Sequence, residues 1–346
     1  MIDFRCDYSE GAHPKVLEKL IQTNLEQTAS YGEDPYCLKA AQLIREKCMR
    51  QDVAVHFLVG GTQTNLTVIS AALRPHQGVI AADTGHINVH ESGAIEATGH
   101  KVLALPSVDG KLTALQIQAA YDDHFNDEAQ EHMVQPKLVY ISNSTEIGSI
   151  YTRAELTSIS ETCRKNNLIL YVDGARLGYA LCSEDNDLDL PTLAQLCDVF
   201  YIGGTKIGAL FGEALVICNQ KLKEDFRYII KQKGGMLAKG RLLGLQFMAL
   251  FEDDLYFDMA QHANKMAMLI KKACINKGYG FLTPSNTNQQ FPIMPNEVLK
   301  KLQENYAYSF WQKIDDNHSA VRFCTSWATE VNAVQNLIAD IEKTIW

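Results

Sequence analysis

Lys206 stands in YIGGTKIGALFGEALVI, residues 201–217, on a glycine-rich bend between two apolar runs. A lysine on such a bend at the edge of a sheet points its amine into the adjoining cleft. Burial there lowers its pKa and favours amine chemistry. An ordinary surface lysine has no need of so many neighbouring glycines and alanines. Asp173 closes another apolar run, LILYVD (168–173), where a carboxylate is costly unless something cationic meets it. Arg176 follows three residues later, so a structural Asp–Arg pair is the competing reading. VGGTQTN (59–65) ends VAVHFLV and opens a helix. Its glycines admit an anion to backbone N–H groups and the helix N-terminus favours negative charge, so a phosphate fits against Gly61 and Thr62. A plain strand-to-helix turn would read the same way. In GHINVHESG (85–93), His86 and His90 lie four apart with Glu91 adjacent, a spacing that puts two metal ligands on one helical face. There is no HExxH pattern and no third distant ligand. A ring packing on a flat cofactor is the better use of His86, and no metal is expected.

These residues meet the needs of one cofactor, pyridoxal phosphate. It takes a lysine for its aldehyde carbon, a carboxylate on the pyridine nitrogen and a donor-rich turn for its phosphate. The carboxylate keeps the ring nitrogen protonated, which lets the ring accept electrons. Asp173 and Lys206, 33 residues apart at two strand ends, can reach one crevice.

The elements that must position them are legible as short β-rich runs separated by helical segments. VAVHFLV (53–59), GVIAA (78–82), KVLAL (101–105), KLVYIS (137–142), LILYVD (168–173), DVFYIG (198–203) and ALVIC (214–218) read as strands. Segments such as ELTSISETCRKNN (155–167) carry apolar residues at helical spacing. The alternation predicts an α/β fold with a mostly parallel central sheet covered on both faces, whose ligands lie outside the carboxyl ends of the strands. Beyond about residue 236 a long helical stretch closes at GYG. QQFPIM, YAYSFW and VRFCTS then read as strands, and a last helix begins near Glu330. We expect a large domain over 15–240 and a small α+β domain from 1–14 and 241–346.

Composition limits the alternatives. The 346 residues carry a net charge of −9, which argues against nonspecific nucleic-acid binding. No apolar run approaches a membrane span, and the N-terminal residues show neither a basic nor an apolar signal region. Nine cysteines without a C-x-x-C pair read as scattered thiols of a reducing cytoplasm.

The motifs also occur in the order of a known family. IDFRCDYSEGAHP, YGEDPY (31–36), GGTQTNL, GHINVHESGA, DGK (109–111), YVDGARL, GGTKIGAL, KGGMLAKG and VRFCTS run nearly end to end. Together they resemble the L-threonine aldolases of the β-eliminating lyase group, enzymes with the aspartate-aminotransferase fold of pyridoxal-phosphate proteins (type I). TEIGSIYT and VRFCTSWAT further resemble the phenylserine-aldolase branch. The resemblance implies that Lys206 forms the internal aldimine, Asp173 binds the pyridine nitrogen and His86 stacks on the ring. Gly61 and Thr62 hold the phosphate, and Gly60, Arg176, Thr205 and Lys239 join the cofactor-binding set. Arg176 and Arg322 bind the substrate carboxylate, a task suited to the planar guanidinium. Cys6 and Tyr31 belong to the substrate site, which the family builds at a dimer interface. The chain departs from the family in three places. Cys6 stands where Ser is common, Thr145 stands in place of a second His and leaves His86 as the better base candidate, and Leu237 replaces an arginine. Lys239 or Arg241, from a neighbouring subunit, takes over the phosphate contact of that arginine.

The expected reaction is reversible cleavage of a β-hydroxy-α-L-amino acid (L-threonine, L-allo-threonine or phenylserine) to glycine and an aldehyde, by a homodimer or homotetramer. Three alternatives stand beside it. The same cofactor also supports β-elimination and transamination. A non-catalytic binding relative of the fold is the second, and a nucleotide-binding protein the third, though the chain has no G-x-G-x-x-G or P-loop and that reading leaves Lys206 unexplained.

Overall fold

The seven apolar runs become the seven strands of one sheet in the computed structural model, which describes residues 1–343. After a short β1 (Ile2–Asp3) come β2 (Ala54–Leu58), β3 (Gln77–Ala82), β4 (Val102–Leu105), β5 (Gln135–Ser142), β6 (Ile169–Asp173), β7 (Val199–Gly203) and β8 (Glu213–Ile217). Their spatial order is β2-β8-β7-β6-β5-β3-β4. β7, β6, β5, β3 and β4 are parallel, and β8 runs antiparallel to both of its neighbours. Side-chain alternation sends Leu170, Val172, Phe200, Ile202, Ala214 and Val216 into the core on one face. Tyr171, Val199, Tyr201, Leu215 and Ile217 enter the core on the other. Burial on both faces is why these runs read as continuously apolar.

The long helical stretch is two helices, Arg241–Phe251 and Leu255–Asn276. Asp253 (φ 33°) and Asp254 (φ 57°) break it with left-handed backbone, which Asp tolerates better than most residues. The helix Arg241–Phe251 packs on Pro35–Lys47 so closely that a Cβ at Gly244 would lie 2.5 Å from Cys37 N. Phe247, Leu250, Tyr256 and Met259 join the core of the large sheet. Met266, Ile270 and Cys274, further along the second helix, belong to a separate small core with Phe4, Phe323 and Leu337. One helix therefore joins the two cores.

The small lobe contains β9 (Gly280–Phe281), β10 (Gln289–Gln290), β11 (Pro292–Pro295), β12 (Tyr306–Ala307), β13 (Ser309–Lys313) and β14 (His318–Cys324). Its sheet runs β10-β14-β11-β9 with β13 on β14, and β1 pairs with β12. The chain start thereby joins the C-terminal lobe. The last helix spans Val331–Lys343.

Candidate active site

At the carboxyl ends of β5, β6 and β7 lies a cavity of about 340 Å3. Lys206 reaches it from the nine-residue connection between β7 and β8, which is tied down by Gly204 N and Thr205 N on Gly212 O. Glu213, at the start of β8, accepts from Gly204 N at 3.0 Å and from Thr205 Oγ1 at 2.9 Å. Gly212 N donates to Thr205 Oγ1 at 2.9 Å, so the threonine hydroxyl is committed within the turn. The Lys206 amine has no hydrogen-bond or ion-pair partner among the described residues. Burial lowers its pKa and Arg176 adds to the effect, against the opposing pull of Asp7, Asp173 and Glu213. Burial pushes the Glu213 carboxyl up to about 8.

Asp173 ends β6 on the cavity wall and is nearly sealed from solvent, at 4% exposure. Four donors hold it: Tyr201 OH at 2.5 Å and Ala175 N at 3.0 Å on Oδ1, Tyr140 OH at 2.6 Å and Asn65 Nδ2 at 3.1 Å on Oδ2. Burial, and then the Asp173 charge, drive both phenols well above their ordinary pKa, so they stay donors. Asn65 extends the network, giving its amide to Glu91 Oε1 at 2.7 Å and accepting Tyr171 OH at 2.7 Å. Glu91 Oε1 also meets His86 Nδ1 at 2.8 Å, which fixes the imidazole and leaves its Nε2 without a hydrogen-bond partner among the described residues.

The helix Gly61–Ala72 starts at this cavity, with Gly60, Gly61 and Thr62 in the wall. A Cβ at Gly61 would come within 3.1 Å of Tyr201 OH, so a larger residue would press on a phenol that holds Asp173. Arg176 lines the same cavity, but two of its nitrogens are taken by buried Asp7, Nε to Oδ2 at 2.8 Å and Nη2 to Oδ1 at 2.9 Å. Asn288 Nδ2 donates to Asp7 Oδ2 at 2.9 Å.

Of the residues expected at the site, Lys206, Asp173, His86, Arg176, Thr205, Gly60, Gly61 and Thr62 line this one cavity. The others do not line it. Tyr31 and Leu237 line a separate cavity with Glu33 and Arg227. Lys239 and Arg241 line another with Glu26 and Thr28. Cys6 turns its thiol to Ser9 Oγ at 3.1 Å. Arg322, on β14, lies over the Trp311 ring and donates to Gln289 Oε1 at 3.2 Å and Arg5 O at 2.7 Å. Thr145 is behind the wall, its hydroxyl 2.7 Å from Ser149 Oγ. Sequence reasoning missed Tyr8, Ser142, Glu146, Tyr201 and Glu213 in the wall and Asp7, Asn65 and Tyr140 behind it. Ser142 and Glu213 had a signal, because each is the polar end of an apolar strand at the same sheet edge as Asp173. No group of three or more His, Cys, Asp or Glu among the described residues is arranged to hold a metal ion.

This architecture is the aspartate-aminotransferase fold, type I of the pyridoxal-phosphate enzymes. The fold is shared with a Thermus thermophilus aspartate aminotransferase mutant (TM-score 0.70, 12% identity, covering 100% of this chain and 92% of that one). The residues fit the cofactor: an unpartnered amine, a buried carboxylate and a helix N-terminus line one cavity.

The family model of the beta-eliminating lyases matches residues 3–296, and the chain belongs to that family. It is a lyase similar to the threonine aldolases. A low specificity L-threonine aldolase from Pseudomonas sp. is 33% identical over 345 residues, covering 99% of this chain and 97% of its own length. A solved structure described as a Leishmania major threonine aldolase superposes with a TM-score of 0.96 at 48% identity, over 99% of both chains.

Proposed function

We propose that the protein cleaves a β-hydroxy-α-L-amino acid to glycine and an aldehyde, with L-threonine, L-allo-threonine and phenylserine as candidate substrates. The observation that carries this reading is the meeting of Lys206, Asp173, His86 and Arg176 at one cavity in a chain similar to threonine aldolases. Bound there, pyridoxal phosphate supplies an electron sink for the bond that breaks at the amino acid's α-carbon. Lys206 would hold the cofactor through its amine, Asp173 would pair with its ring nitrogen and His86 would pack its ring on it. Gly60, Gly61 and Thr62 would offer backbone donors to its phosphate. Arg176, held flat by Asp7, directs its remaining N–H groups at the substrate carboxylate and so fixes which α-bond is presented for cleavage. Incubation with the three amino acids is expected to release glycine from at least one, measured by amino-acid analysis. Absence of glycine from all three sinks the reading, and a keto acid formed without glycine favours transamination or elimination. Free cysteines throughout the described residues support a reducing cytoplasm.

The working unit in this reading is a homodimer or a tetramer built from dimers. Leu17 (41% exposed), Ile21 (75%), Leu25 (93%), Leu38 (60%) and Leu242 (36%) present apolar side chains on neighbouring helices and the loop after the first. These flank the cavities of Tyr31 and Lys239, the expected residues that lie away from Lys206 within one chain. A second copy seated on this face covers the patch and carries both residues to the other subunit's site. The double change Ile21→Asp with Leu25→Asp is expected to halve the mass read by light scattering and to cut glycine release by about tenfold or more. A variant of unchanged mass rejects this face.

A further inference from the structure

Three carboxylates line the cavity: Asp173, Glu213 and Glu146. Both oxygens of Asp173 and both of Glu213 are engaged, as described above. Glu146 differs. Its Oε1 accepts from His86 N at 3.0 Å and Ser142 Oγ at 2.7 Å, while Oε2 is buried with no hydrogen-bond partner among the described residues. A buried carboxylate oxygen left unsatisfied is costly unless a ligand completes it. An acceptor of this kind in a cavity for a β-hydroxy amino acid is matched by the one donor that distinguishes such a substrate from glycine, its hydroxyl. Thr145 cannot take that part, because its hydroxyl is committed to Ser149 behind the wall.

We propose that Glu146 accepts the β-hydroxyl proton of the substrate on Oε2, a catalytic role. The inference rests on the aldol-cleavage reading above. As the Cα–Cβ bond breaks, the electron pair of the O–H bond becomes the second bond of the aldehyde carbonyl and the proton passes to Oε2. Pyridoxal phosphate, when bound, would take up the pair from the Cα–Cβ bond. One proton taken up at Cα completes glycine, and Glu146 releases its own to solvent, so charge and protons balance. Burial raises the Glu146 pKa, Ser142 opposes this and Asp173 adds to the rise, which makes the ionised group a stronger base than an exposed glutamate. The backbone bond from His86 N holds Oε1 in place, so Oε2 is the oxygen left to react.

The test separates proton transfer at the hydroxyl from everything the cofactor does without it. In deuterated water, holoenzyme is expected to exchange the α-hydrogen of glycine, a reaction needing no β-hydroxyl, and exchange is followed by NMR. Glu146→Gln is expected to keep its visible cofactor band, glycine affinity and exchange rate within about threefold. Its cleavage of L-allo-threonine is expected to fall about 100-fold or more. Glu146→Asp, which restores a carboxylate one methylene short, is expected to recover part of that loss. Cleavage by Glu146→Gln within threefold of the unaltered enzyme overturns the proposal. So does an equal fall in exchange and cleavage, which marks a structural role. If Glu146→Gln loses its cofactor, the same comparison is made with Glu146→Asp, where equal loss of both reactions again overturns it. An unaltered enzyme that exchanges glycine but cleaves no β-hydroxy amino acid defeats the functional reading instead.

Discussion

Lys206→Ala is expected to abolish the visible band of the bound cofactor and to lower glycine formation by at least about 1,000-fold, near 4 kcal/mol of barrier. Among the described residues lining the cavity, Lys206 carries the one primary amine able to form a carbon–nitrogen linkage there. Borohydride treatment followed by peptide mapping is expected to fix the cofactor on Lys206 and nowhere else. The variant is expected to stay folded. No hydrogen bond to the amine is lost, the Lys206 carbonyl still accepts Tyr179 OH at 2.5 Å, and a buried amine in the field of Arg176 is removed. A thermal melt tells loss of chemistry from loss of structure. A variant that retained the band, or more than one-tenth of its activity, would place the linkage elsewhere.

Asp7→Ala is expected to destabilise the fold by about 3–5 kcal/mol, because it leaves the Arg176 guanidinium buried without its counter-charge. Asp7 is fully buried and bonds both Arg176 and Asn288, so the change strips a whole network. Chemical denaturation reads the loss as a lower midpoint at unchanged slope. A shift below about 1 kcal/mol would show that water or another acceptor reaches Arg176. The pair also sets an acid limb. Burial alone would raise the Asp7 pKa, but the charges of Arg176 and Lys206 and the bonds from Arg176 and Asn288 outweigh it and the pKa falls. A carboxylate lowered on folding contributes stability above its unfolded value, near 3.8, and loses it as pH falls through the folded value. The unaltered protein is therefore expected to lose stability below about pH 4 more steeply than Asp7→Asn.

Much of this site was legible because its residues break a local rule. Asp173 is a carboxylate on an apolar strand, and Lys206 is a charge among glycines, so each stands out against its neighbours. The seven strands were legible for the opposite reason, since burial on both faces leaves unbroken apolar runs. Asp7 was not readable. Its partner is 169 residues away, and nothing near DYSEG marks it as buried. Glu146 was not readable because it lies beyond the end of β5 among polar residues, where a carboxylate breaks no local rule, and only the turn there brings it into the wall. The break at Asp253 and Asp254 was missed because helical spacing continues across it while the backbone does not. Tyr31 and Lys239 meet Lys206 only across copies in our reading, and no pattern within a single chain reports a contact of that kind.

The short connection from β7 to β8 has a kinetic consequence. Gly203 and Glu213 face each other across the two strands, Gly208 O is bonded by His13 N, and Tyr179 holds the Lys206 carbonyl. The lysine backbone is thus an anchor point, and its four methylenes are a tether. Were a cofactor held at this amine and then claimed by an incoming one, the tether would keep the freed lysine close to the site it left. It would act at a high local concentration rather than as a species that must diffuse back. Recapture would then be a unimolecular event rather than a diffusional one.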